Sequence, residues 1–254
     1  MALNLDKMRA KLSALTNKDG GDSKKNFWKP PEGQSSIRVV ATPDGDPFKE
    51  KFFHYNIAGN NFLCPKKNFG HKCAVCDFGN QLWNEGTEES RKMAKNFFAK
   101  QRFFAPVLVR GEEAEGIRIW GFGKMAYEKL LNVVLDPDYG DITDPEAGND
   151  LRITYGKPAG ASFPRTDISP RPRKTILCDD AVGGVARCAE LLDTMPNIDD
   201  VFEVKTSEEV ASMLSQHIND AEGSSSETEK YGGNVAPGAG SPENAVDAAF
   251  KELL

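Results

Sequence analysis

Long apolar runs are missing from this 254-residue chain: nowhere do about 18 apolar residues follow one another, so it offers no candidate membrane-spanning helix. Its first residues, MALNLDKMRAKLSALT, have neither the uninterrupted apolar stretch nor the small-residue cleavage site of a secretory signal, and a soluble, intracellular protein is expected. Histidine is scarce, with three residues, His54, His71 and His217. No H-E-x-x-H or H-x-E occurs, and no nucleophile, base and orienter can be assembled, so an enzyme is disfavoured. A phosphate-binding loop is missing too. Gly121, Phe122, Gly123 and Lys124 imitate one, but Arg118 stands where such a loop needs glycine and Met125 follows the lysine. The five cysteines are too few and too uneven for a disulfide framework, and three of them crowd between Cys64 and Cys76.

With 39% hydrophobic and 28% charged residues, the chain can bury one large or two small cores. Its net charge of -6 conceals strong segregation. Residues 1–110 carry 19 Lys and Arg against 11 Asp and Glu, and residues 151–178 carry 6 against 1. The segments 111–150, 179–219 and 220–254 are acidic, with 3 against 10, 2 against 9 and 2 against 7. If folding joins the two basic blocks on one face, the product is an electropositive groove on an acidic protein; ordinary solvated surface is the plainer alternative.

Leu5, Met8, Leu12 and Leu15 recur at helical spacing among Lys7, Arg9 and Lys11, which predicts a basic amphipathic helix within an arm of residues 1–17. Residues 18–34 read as a Gly-, Asp-, Lys- and Pro-rich linker, and the folded body spans 35–220. Strands are expected at 37–41, 51–57, 101–110, 116–122 and 151–155, and helices at 75–98, 124–135, 181–194 and 207–220. The expected class is mixed α+β with a mainly β core, and five short strands with helical insertions suit a small barrel. Residues 221–254 are Ser-, Gly-, Pro- and Glu-rich and read as a flexible acidic tail, whose last ten residues are either a short helix for a partner or a frayed end.

The strongest chemical signal is CPKKNFGHKCAVC, residues 64–76. The C-x-x-C pair Cys73 and Cys76 presents two sulfurs to one ion without backbone strain, and Cys64 adds a third, a pattern that fits tetrahedral zinc. His71 or His54 completes the set. His71 is close in sequence but crowds Cys73. His54 is favoured, because a hairpin turn at 58–61 would return the chain to Cys64. Four protein ligands leave no open position for a reacting water, so the zinc is expected to be structural. A thioredoxin-type pair would need a βαβ context, and a deaminase would have proline where Lys72 precedes Cys73. Cys178 and Cys188 read as free thiols.

Aromatic and cationic residues interleave on the strand candidates. Alternation along Lys100–Arg110 puts Arg102, Phe104 and Arg110 on one face and Phe103 on the other, whereas in Gly116–Phe122 it sets Arg118, Trp120 and Phe122 opposite Ile117 and Ile119. Phe163 and Arg165, then Arg171, Arg173 and Lys174 in a Pro-rich loop, extend the series. Charges that track phosphates beside rings that stack on bases are what a single strand requires.

The order of these features, His54, Cys64, Cys73, Cys76, then RFFAPVLV at 102–109, RIWGFGKMAYEKL at 118–130 and PNIDD at 196–200, resembles the single-stranded DNA-binding, helix-destabilising proteins of T-even-type bacteriophages. The resemblance implies an oligonucleotide-binding (OB) barrel with an inserted zinc subdomain, at about 54–98 here, and His54 as the fourth ligand. It also implies DNA contacts near Trp83, Phe103, Phe104, Trp120 and Phe163 with Arg102 and Lys124, and self-association through the arm that carries Lys7, Arg9 and Lys11. The tail would recruit replication and recombination proteins, and the setting would be the cytoplasm of an infected bacterium. The expected function is sequence-non-specific coating of single-stranded DNA in replication, recombination and repair. A zinc-ribbon adaptor that meets only proteins is the alternative, and a zinc hydrolase is the enzyme rival.

Overall fold

A computed structural model of the chain describes residues 26–161, 163–179 and 183–228. The arm with Lys7, Arg9 and Lys11, the first part of the linker and residues 229–254 of the tail lie outside the described residues. The elements in chain order are β1 (Phe27–Trp28), β2 (Gly33–Val39), β3 (Lys49–Ile57), β4 (Asn60–Leu63), α1 (Pro65–Phe69), α2 (Ala74–Asn84), α3 (Glu88–Phe97) and β5 (Lys100–Val109). After a 3-10 turn at Glu113–Glu115 come β6 (Ile117–Phe122), α4 (Lys124–Leu135), β7 (Gly148–Gly156), β8 (Arg165–Thr175), α5 (Gly184–Asp193) and α6 (Ser207–Thr228). They form two compact units. Among the described residues, the first holds residues 26–49 and Phe103–Val201, the second Glu50–Arg102 and residues 202–228.

The mixed, mainly β character is as expected. In the first unit the strand order is β1-β6-β5-β2-β7-β8, antiparallel throughout except for the parallel β1–β6 pair. This path is open at β1 and β8 rather than closed as a five-stranded barrel. Both ends are poor templates for closure. β1 is two residues long, and β8 carries Pro170 and Pro172, which lack the N–H that a further ladder needs. Those prolines are also why residues 170–174 read as a loop in sequence.

The linker boundary needs correction. Trp28, assigned to the linker, is buried in the core edge-to-face with Trp120 at 5.9 Å, and Gly33 and Gln34 already belong to β2. Around that pair Phe48, Phe103 and Phe122 join Tyr127 of α4, with Phe103 and Tyr127 stacked at 3.9 Å between centroids. The opposite face is covered as well. Val40, Leu108, Ile117 and Leu177 form a second cluster with Cys178 and Leu191. Cys178 and Cys188, expected as free thiols, are joined in a disulfide; the turn before α5 brings their Cα atoms to 5.6 Å, a proximity that sequence spacing does not reveal.

Arg38 is fully buried in this unit. Its Nε donates to Asp150 Oδ1 at 3.0 Å, and its terminal nitrogens donate to the carbonyls of Asp144, Gly148 and Thr175. Arg110 reaches the same carboxylate at 3.1 Å and also holds the carbonyls of Ile176 and Leu177. The approach is tight: a Cβ on Gly148 would lie 2.6 Å from two backbone oxygens and 2.9 Å from Arg38 Nη1. Burial lowers the pKa of Arg38, and the charge of Asp150 works against that shift.

In the second unit β3 pairs with β4, and the start of β5 belongs here too. The single helix expected over 75–98 is two. Gly86 takes φ 82°, and Thr87 then caps α3 by accepting from the Ser90 N–H, so the chain stops and restarts. α6 runs on to Thr228, past Asp220, where the folded body was expected to end. Its Val210, Leu214 and Ile218 pack with Phe78, Leu82, Ala94 and Phe97.

Removing Asp150 leaves the fully buried Arg38 without its carboxylate partner, while part-buried Arg110 keeps Asp179 at 3.8 Å. Asp150→Ala is therefore expected to lower stability by about 3–5 kcal/mol in urea unfolding of the full chain. A loss below about 1 kcal/mol would show that the carboxylate does not hold these strands.

Candidate metal centre and nucleic-acid interface

His54 lies on β3 opposite Phe62 of β4, and the strands are joined through Ala58 and Gly59, whose φ values of 47° and 74° make the tight turn. This is the hairpin the sequence implied. It delivers Cys64 immediately after β4, where Cys64 caps α1 and accepts from the Lys67 N–H at 3.4 Å. Gly70, in the left-handed conformation at φ 71°, ends α1 and lets the chain turn toward Cys73, the cap residue of α2, with Cys76 in the first turn of that helix. Sulfur at a helix N-terminus meets the positive end of the helix dipole, which favours the thiolate.

The four ligand atoms lie within 4.8 Å of one another, and all four residues are buried. His54 Nε2 is 3.4 Å from the sulfurs of both Cys73 and Cys76, and Cys64 and Cys76 are 3.4 Å apart, far longer than a disulfide. A tetrahedral ion with bonds of about 2.0–2.3 Å separates its ligands by about 3.3–3.8 Å, so the spacing fits a metal. His71 is exposed, packs on Phe69 and takes no part. Burial opposes protonation of His54, but hydrogen bonds to Cys64 and Cys73 outweigh it and raise its pKa to about 9. Hydrogen bonds from Cys73 and Cys76 hold Cys64 far below the ordinary thiol value, whereas the hydrogen bonds to Cys64 and Cys73 push Cys76 up. His54 Nδ1 is buried without a hydrogen-bond partner.

The expected DNA contacts divide by exposure. Phe103, Phe104 and Trp120 are 3%, 6% and 1% exposed, so none offers a ring face to a base. This corrects the alternation argument for Trp120 and Phe104. Alternation assigns sides of a sheet, but here both sides are covered, so neither side is the solvent side. Phe104 lies across Gly121, where a Cβ would come within 2.9 Å of the ring. Arg118 is mostly buried and bound to Glu112 at 2.6 Å. Lys124 is exposed beside Glu128 at 3.8 Å. In the second unit, Lys100 is exposed and Arg102 half-buried, and Trp83 is 41% exposed with the Arg91 guanidinium 5.6 Å from its ring centroid.

Phe163 is 78% exposed, and Arg165, Arg171, Arg173 and Lys174 are exposed on β8. Exposed Arg152 and Thr154 stand on neighbouring β7, with Arg152 paired to Ser169, Thr154 to Asp167 and Gly156 to Arg165. Met125, Lys129, Tyr155, Lys157, Arg165 and Asp167 are among the residues that line a groove of about 570 Å³ beside this face. Sequence reading missed Arg152 and Lys157, although the alternation of LRITYG, with Leu151 and Ile153 inward, would have placed Arg152 outside.

Residues 31–219 match the family described as gp32 DNA binding protein like. The chain belongs to that family. Comparison with curated proteins finds no match. Membership supports a single-stranded DNA-binding role, and the matched span contains both the metal centre and the basic β7–β8 face. Among the described residues, no helix is long and apolar enough to cross a membrane.

Metal retention separates the two histidines: His54→Ala is expected to lose the ion and His71→Ala to keep it, as read by metal analysis of the purified proteins. Because binding must displace the protons held by His54 and Cys76, apparent affinity should fall by about tenfold per pH unit for each displaced proton as pH drops from 9 toward 6. A flat pH profile would exclude these groups as the ligands.

Proposed function

We propose that this protein coats single-stranded DNA without sequence specificity and, by binding only the open form, shifts the duplex equilibrium by mass action. The observation that carries this reading is the family match across residues 31–219, to which the exposed cationic row of β7 and β8 adds a track for phosphates. Phe163 and Trp83 supply exposed rings for unpaired bases, with Arg165, Arg171, Arg173 and Lys174 near the first and Lys100 and Arg102 in the unit of the second. We read β6-β5-β2-β7-β8 as a variant of the OB barrel, and the ion held by His54, Cys64, Cys73 and Cys76 as one structural zinc. With all four positions taken by protein, the ion's part is to hold β3, β4, α1 and α2 together, and no catalytic role follows.

In this reading the protein serves phage replication, recombination and repair in the host cytoplasm. Residues 1–17 provide self-association along DNA, and the acidic C-terminal segment recruits partner proteins. A zinc-ribbon adaptor without DNA affinity is the second reading, favoured by the acidic segments alone.

Anisotropy titration of labelled single-stranded and duplex oligonucleotides across a salt series tests the proposal. Tight, salt-sensitive preference for the single strand is expected, and Arg171→Ala and Arg173→Ala should each lower the salt slope by about 0.7. Absence of binding at low salt would favour the adaptor.

A further inference from the structure

The groove beside β7 and β8 contains a cation that is already engaged. Lys129 projects from α4 and its Nζ is paired with the Asp167 carboxylate of β8. Both side chains remain accessible, at 43% and 66% exposure, so water and ions reach the pair. The same groove presents Lys157 and Arg165 as further cations, and Met125, 69% exposed, with Tyr155 as apolar surface. Asp167 sits on the outward side of β8 opposite Thr154, one outward position from Arg165, which faces Gly156. An anionic oxygen is thus held by a lysine in a groove that also carries Lys157 and Arg165, with Glu32 as its other carboxylate, where a backbone phosphate would lie.

We propose that the groove is a subsite for the sugar-phosphate backbone of a single strand, and that Asp167 occupies Lys129 in the free protein as an internal substitute for a phosphate. This rests on the single-stranded DNA reading above. Binding exchanges one anion for another: a phosphate takes Lys129, and Asp167 is released to water. Met125 and Tyr155 then face the sugar or base of the same nucleotide. The contact restrains affinity, because each binding event must first separate Lys129 from Asp167. It also hides one cation from the counterion balance that sets salt dependence.

The test compares the wild-type full chain with Asp167→Asn, Lys129→Met and the double variant, titrated with labelled oligo-dT across a salt series. Glu32→Gln is the control, since it removes a carboxylate from the same groove without touching the pair. Asp167→Asn is expected to tighten binding by up to about fivefold, the range of an exposed ion pair, and to steepen the salt slope by about 0.7 as Lys129 becomes available. Lys129→Met should weaken binding, and in its background Asp167→Asn should change affinity no more than Glu32→Gln does, which a double-mutant cycle reads directly. Equal slopes for wild type and Asp167→Asn, or equal tightening by Asp167→Asn and Glu32→Gln, would overturn the proposal and leave single-strand binding standing. Failure of the wild type to bind would overturn both. Thermal melting of each variant confirms that these surface substitutions leave the fold intact.

Discussion

The convergence of His54, Cys64, Cys73 and Cys76 on one buried point is the constraint around which the second unit is built. Three sulfurs and an imidazole drawn from a strand and two helix starts have no apolar reason to meet, and burying ionised thiolates without a cation is costly. Every local feature serves the meeting. The left-handed turn of β3 and β4 brings Cys64 back beside His54, and Gly70 redirects the chain toward Cys73. The same cysteines pack with Ile57, Phe62 and Val75, so the metal centre and the hydrophobic core of this unit are one object. An ion held there would couple its own binding to the folding of this unit.

The first unit solves a different problem. Its sheet is covered on both faces, and its largest aromatic side chains hold those layers together instead of meeting a ligand. The Arg38–Asp150–Arg110 cluster pins β2, β5 and β7 together and grips the chain at the end of β8. At the far end of the sheet, β7 and β8 show solvent a side rich in Arg and Lys that is interrupted by Asp167. Rigid strands there can present charges at strand spacing without loss of side-chain order elsewhere. In the proposed reading, that division leaves affinity for DNA to exposed Arg, Lys and a few rings, and stability to the interior.

Much of this was legible in the chain. The three clustered cysteines, the hairpin that favours His54 over His71 beside them, three of the helices and five strands follow from spacing, turn residues and periodicity, all of which are local. Less legible were the elements that break local rules. Phe27–Trp28 is too short to show a period, β8 contains prolines that only an end strand tolerates, and the helix expected over 75–98 is cut by one glycine whose φ no periodic pattern discloses.

The sequence by itself determined which residue types could ligate, which segments could be strands or helices, and that positive charge gathers in two blocks, because each of these is a property of neighbours along the chain. Tertiary structure alone decided that Trp120 and Phe104 are interior while Phe163 and Trp83 are exposed, that Cys178 meets Cys188, and that Lys129 meets Asp167. A period of two names the side of a strand on which a residue lies. What covers that side depends on elements far away in sequence, and on which of them the fold brings close.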